Sequence, residues 1–148
     1  MKKLLLPLIA CFALVTAAFA GSEKMTADIS HDDLKAAIAA GKVTLIDVNG
    51  TDSYKEGHIP GAIDFEANEA KLAAQLPADK SALVVAYCGN EKCNAYKQGV
   101  AAAEKLGYTN VKHYAKGIAG WKKAGEKTEK AGMAGMNEKT DMTEKPAM

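Results

Sequence analysis

Ala82-Leu-Val-Val-Ala-Tyr-Cys-Gly-Asn-Glu-Lys-Cys-Asn94 is the stretch that decides the fold. Leu83 to Tyr87 is a short, unbroken apolar run, the pattern of an interior strand buried on both faces of a parallel sheet. It stops at Cys88, a polar loop follows, and apolar residues at helical spacing resume from about Asn94 to Leu106, closed by Gly107. Cys88 is therefore expected at the carboxyl end of a strand. In open α/β sheets that is where ligands bind, and loop and helix-start amides there favour an anion or a thiolate.

Outward from this stretch, the order of elements is α/β. Ser30-His31-Asp32-Asp33 reads as a helix start, with Leu34, Ala37 and Ile38 on the apolar face and Gly41 at the end, and His31 as a solvated first-turn residue. Val43–Val48 is a strand ended by Asn49-Gly50. Asp47 sits among apolar neighbours in it, so the carboxylate needs partners, and fixing a loop through nearby amides suits it better than proton transfer. Pro60-Gly61 makes a turn before a short strand, Ala62–Phe65, and Asn68 to Leu76 is helical up to Pro77. Asn110–Tyr114 is a further short strand, with His113 alternating outward, and the glycine-punctuated loop Lys116-Gly-Ile-Ala-Gly-Trp121 leads into a last short helix. Strands alternating with helices imply a parallel sheet covered on both faces.

The chain's 148 residues are 48% apolar with a formal charge of +1, which allows one modest domain and argues against a nucleic-acid-binding or wholly disordered chain. Residues 1–20 have a basic start, an apolar middle and the small-residue ending Ala18-Phe19-Ala20, the pattern of a signal peptide cleaved after Ala20. The expectation is a periplasmic or secreted protein with no membrane segment after cleavage. Cleavage removes Cys11, leaving Cys88 and Cys93 in one loop, in a compartment where disulfides persist. There is no arginine, so the usual bidentate anion clamp is missing. Residues 21–125 form the domain. From Glu126 to Met148 there is no Leu, Ile, Val or aromatic residue, but four methionines, four lysines and five acids, which reads as a disordered tail. Met133, Met136 and Met142 in it could offer thioethers to Cu(I).

Leu45-Ile46-Asp47-Val48, then Gly57-His-Ile-Pro-Gly-Ala62, then a cysteine closing a strand, then Gly117-Ile-Ala-Gly-Trp121, resembles in order and spacing the rhodanese-like domain, over about residues 25 to 125. The resemblance implies a three-layer α/β fold, with about five mainly parallel strands between helices. It also implies a cysteine, matched by Cys88, that takes sulfane sulfur from a small donor such as thiosulfate and passes it as a persulfide to a thiol or other nucleophile. Gly89, Asn90, Glu91, Lys92 and Cys93 form the corresponding loop, and Asp47, His58, Gly117 and Trp121 support it. No cofactor and no metal are implied. The chain departs from the resemblance inside the site. Glu91 stands where glycine is common, Cys93 where a basic residue, usually arginine, is common, Asn49 at another frequent arginine, and Lys116 where glycine is usual. Phosphatases of this fold carry an arginine at the position held by Asn94, so phosphate chemistry is disfavoured. Cys93 is a candidate resolving thiol, which would call for a periplasmic thiol reductant as partner. The competing reading keeps the fold and makes Cys88 and Cys93 a thiol–disulfide or soft-metal Cu(I) device without sulfur turnover.

Overall fold

In the computed structural model, residues 25–131 are described. The elements run β1 (Ala27–Asp28), α1 (His31–Ala39), β2 (Val43–Asp47), α2 (Thr51–Glu56), β3 (Ile63–Asp64), α3 (Phe65–Asn68), a 3₁₀ turn (Glu69–Lys71), α4 (Leu72–Gln75), β4 (Leu83–Tyr87), α5 (Tyr96–Lys105), β5 (Val111–Tyr114) and α6 (Gly117–Lys123). The five strands form one sheet in the order β1-β5-β4-β2-β3. Every pair in it is parallel. β4 lies at its centre, which explains its continuous apolar run: Val84, Val85, Ala86 and Tyr87 are all fully buried.

Alternation along the strands divides the core into two layers. Leu45, Val85, Tyr87 and Tyr114 face one side, with Ile29, Leu34, Ile59 and Trp121, under α1 and α6. Ile46, Val84 and Ala86 face the other, with Phe65, Leu72, Leu76, Val100 and Ala103, under α3, α4 and α5. One-residue alternation in β2 and β4 thus supplies both halves of a three-layer fold. None of the helices among the described residues is long and apolar enough to cross a membrane.

Several local expectations shift. The strand expected over Ala62–Phe65 is only Ile63–Asp64, because the Asp64 side chain caps Ala67 N at 3.3 Å and turns the chain into α3 at Phe65. The expected helix from Asn68 to Leu76 is a 3₁₀ turn followed by the four residues of α4. β1 and α2, two and six residues long, carry too little pattern to be read from sequence. His31 is not solvated: its Nδ1 lies 2.8 Å from the Tyr114 hydroxyl, and its ring meets Trp121 edge-on at 5.5 Å. His113 stacks on Tyr96 with ring centroids 3.6 Å apart instead of pointing freely outward, and burial lowers its pKa against a smaller raising effect of Asp28.

The segment after Gly125 also differs from a featureless tail. Glu126 accepts from Lys35 at 2.7 Å, and this bond leads the causes that lower its carboxyl pKa. The Lys127 carbonyl accepts from the Trp121 indole N–H at 2.8 Å, and Glu129 forms an antiparallel bridge with His58. The acids of this segment and the Lys127 backbone carbonyl are here used as ion-pair and hydrogen-bond partners of the domain. Residues 1–20, and the methionines Met133, Met136 and Met142, lie outside the described residues.

α5 crosses the sheet at Gly99, where a Cβ would meet Ile46, Val48 and Ala86 at 3.1–3.2 Å. That close approach sets the distance between the helix and the strand bearing Cys88. Gly99→Ala should cost about 1–3 kcal/mol by overpacking, read as a lower denaturant midpoint with an unchanged slope. A midpoint equal to wild type would show that the helix can lift away freely.

Candidate active site

Cys88 follows the last residue of the central strand, and its position is fixed from three directions. From below, β4 hydrogen-bonds to both β2 and β5. From the side, α6 docks head-on: Ile118 N donates to the Cys88 carbonyl at 2.9 Å and Ala119 N to the Gly89 carbonyl at 3.0 Å. These bonds require the chain to turn sharply beside the loop. Gly117 makes the turn at φ +57°, where a Cβ would overlap the Cys88 carbonyl oxygen. From the third direction, Asp47 and Tyr87 lock the ends of β2 and β4 together.

Asp47 and Tyr87 are register partners. The Tyr87 hydroxyl donates to Asp47 Oδ2 at 2.7 Å and accepts from Ile59 N at 3.0 Å. Asp47 Oδ1 accepts from Asn49 N at 2.8 Å and Asn49 Nδ2 at 2.7 Å. The buried carboxylate is thus satisfied by the loop-fixing role expected of it. Burial first, then the negative charge of Asp47, pushes the Tyr87 phenol well above its ordinary pKa, so the hydroxyl stays a donor. Sequence reading missed Tyr87. Its signal was a single aromatic hydroxyl in an aliphatic strand, which needs a partner once buried.

His58 is buried, with Nδ1 2.8 Å from the Tyr54 carbonyl, its ring stacked on Tyr54 at 3.6 Å and Nε2 3.9 Å from Glu129. Its partners belong to α2 and the C-terminal segment and not to the cysteine loop. Trp121 is buried under α6, edge-on to Tyr114, and helps seat the helix that clamps Cys88.

The loop itself is closed by a Cys88–Cys93 disulfide with Cα atoms 6.2 Å apart, within the span of about 7 Å that a bridge needs. Asn90 folds the loop: its carbonyl accepts from Cys93 N at 3.0 Å and its side chain from Lys92 N at 2.9 Å. The Cys88 sulfur lies 3.3 Å from the Cys93 carbonyl oxygen. In this oxidised form the Lys92 and Cys93 amides serve Asn90 and a carbonyl oxygen faces the sulfur, so these two loop amides are not directed at Cys88 as an anion-favouring loop would require. Cys88 is 2% exposed, whereas Cys93 is half-buried.

Beside the loop lies an open cleft of about 640 Å³, lined by Asn90, Glu91, Lys92, Lys116, Ala119, Gly120, Lys123 and Ala124. From sequence, Lys92 is the loop's only cation facing Glu91; folding adds Lys116 and Lys123 from α6 and its N-terminal boundary. The cleft wall therefore carries three lysines against one carboxylate. No group of three or more His, Cys, Asp or Glu able to hold a metal occurs among the described residues.

The profile of the rhodanese-like domain matches residues 30–124. The chain belongs to the rhodanese-like family. A human thiosulfate:glutathione sulfurtransferase is 31% identical over 104 residues, covering 63% of this chain and 90% of that protein. The HTH-type transcriptional regulator Rv0324 of Mycobacterium tuberculosis is 39% identical over 87 residues, which are 58% of this chain and 37% of the regulator. The chain thus spans little more than a third of that relative's length. Among solved structures, the BH2092 protein of Bacillus halodurans superposes with a TM-score of 0.56 at 26% identity, covering 73% of this chain and 80% of that one. The parallel five-stranded sheet with helices on both faces is the rhodanese-like fold, and the family has sulfurtransferase members.

Two glycines of this rhodanese-like domain separate backbone strain from crowding. Gly41 has φ +63° and open space around it, while Gly117 has φ +57° with the Cys88 carbonyl in the way. Gly41→Ala should cost about 1 kcal/mol from the left-handed backbone alone. Gly117→Ala should cost about 1–3 kcal/mol more, because the clamp on Cys88 must open. Equal losses in denaturant melts would mean that the α6 contact does not constrain the loop.

Proposed function

We propose that this protein is an exported sulfurtransferase or persulfide carrier, in which Cys88 accepts sulfane sulfur from a small anionic donor and passes it to a thiol or other nucleophile. The observation that carries the reading is the placement of Cys88 at the carboxyl end of the central strand, clamped by α6 and opening a loop whose residues Asn90 to Lys92 line a cleft with three lysines. Family membership and the human sulfurtransferase relative support it. In the reduced protein, the Cys88 thiolate attacks the outer sulfur of the donor, and sulfite or its equivalent leaves. Gly89 to Cys93 form the loop around the persulfide, while Asp47, His58, Gly117 and Trp121 hold the elements that shape it. Export rests on residues 1–20, which fit cleavage after Ala20 and delivery to the periplasm or outside the cell.

Lys92, Lys116 and Lys123 attract an anionic donor, and Glu91 opposes it. Reduced wild-type protein given thiosulfate and then cyanide should form thiocyanate, and Cys88→Ser should lose this activity by at least about 100-fold. Undiminished activity in that variant would overturn the assignment. Glu91→Gly should lower the KM for thiosulfate by about twofold to fivefold at low salt, an effect that fades as ionic strength rises. A KM that does not move would remove Glu91 from the account.

A second reading, thiol–disulfide exchange with no sulfur turnover, is favoured by the bonded Cys88–Cys93 pair. It differs in outcome: reduced protein would then gain no sulfur from any donor.

A further inference from the structure

The disulfide occupies the one sulfur on which transfer depends. While Cys88 is bonded to Cys93 it cannot attack a donor, so turnover requires the reduced pair. The bridge also closes a loop of only five-residue separation, the geometry in which a cross-link constrains the unfolded chain least, and a purely stabilising purpose is poorly served by it. The loop is built to bring the two sulfurs together. Asn90 gathers Cys93 N and Lys92 N, the Cα atoms come to 6.2 Å, and α6 holds the backbone of Cys88 and Gly89. The two cysteines differ in access, with Cys88 buried and Cys93 half-exposed.

We infer that Cys93 is a resolving thiol that turns the Cys88 persulfide into hydrosulfide, which makes the domain a dithiol-driven sulfane-sulfur reductase. This rests on the sulfur-accepting role of Cys88 and adds a second fate for the sulfur. In the first step, the Cys88 thiolate takes the outer sulfur of thiosulfate, the donor's S–S bond breaks, and sulfite leaves. In the second, the Cys93 sulfur attacks Cys88 Sγ, the bond from Sγ to the outer sulfur breaks, and the Cys93 proton leaves with that sulfur as hydrosulfide. The sulfane sulfur gains two electrons, and the two cysteines lose them as the Cys88–Cys93 disulfide forms. A protein or small-molecule dithiol then reopens the bridge. Its first thiol attacks the accessible Cys93 and displaces the Cys88 thiolate, and its second thiol frees Cys93, so the dithiol leaves as a disulfide. Attack on Cys93 restores the nucleophile first.

The test uses the full chain, reduced, freed of thiol under anaerobic conditions and mixed with thiosulfate, or with inorganic polysulfide as a second donor. Sulfide is measured together with intact mass after alkylation. Wild type should release one sulfide per chain and end lighter than the reduced protein by two hydrogens, with the Cys88 and Cys93 peptides linked. Cys93→Ser and Cys93→Ala should instead end heavier by one sulfur atom, release sulfide at least about tenfold more slowly, and surrender the sulfur to cyanide as thiocyanate. A stable sulfur adduct on wild type, or sulfide release from both Cys93 variants at the wild-type rate, would overturn the resolving role while leaving sulfur transfer intact. Failure of wild type to take sulfur from either donor would overturn the sulfur-accepting role and this inference with it.

Discussion

The hydrogen bond from Tyr87 to Asp47 is the constraint on which the site depends. It joins the ends of the two central strands at the level where the chain leaves the sheet. One end of the network reaches Ile59, in the segment after α2, and the other reaches Asn49, where β2 becomes loop. Each bond is worth about 1 kcal/mol net, yet each buried group left unpaired would cost about 1–3 kcal/mol. The network's value is therefore positional. It allows a carboxylate at the carboxyl end of β2 without leaving it unsatisfied, and it holds the backbone just before Cys88.

The cysteine loop departs from a simple anion cradle because it holds a second cysteine bonded to Cys88. A basic residue at position 93 would add charge to the loop; the cysteine there adds a covalent link to Cys88. Folding supplies the missing charge elsewhere, through Lys116 and Lys123 on the facing wall. Lysines present mobile point charges to an anion and not a rigid fork. A site of this kind places weaker geometric demands on its anion than one built around a guanidinium.

The sequence carried the sheet, the central strand and the place of Cys88, because a strand buried on both faces leaves a continuous apolar run and a glycine-punctuated helix start leaves its spacing. It did not carry what depends on long-range contact. His31 looks like a first-turn polar residue until Tyr114 and Trp121 arrive from residues more than eighty positions away. Lys123 looks like one more surface charge until α6 places it on the same cleft as Glu91. β1 and α2 were too short to show a period, and they are defined by the neighbours they pack against. Glu126 to Glu129 read as tail because their composition is polar, yet they have partners in the domain: the exposed Lys35 and the buried Trp121 and His58. Composition alone misses a segment held by hydrogen bonds and not by apolar area.

Trp121 is the only tryptophan in the chain, and its indole N–H is held by the Lys127 carbonyl just outside the span matched to the family. Its ring packs in the same helix whose first turn grips Cys88 and Gly89. The molecule therefore contains a built-in optical reporter. A change in how the last helix seats against the sulfur loop, or in how the following strap closes over it, would alter the polarity around this indole and shift its emission without any label being added.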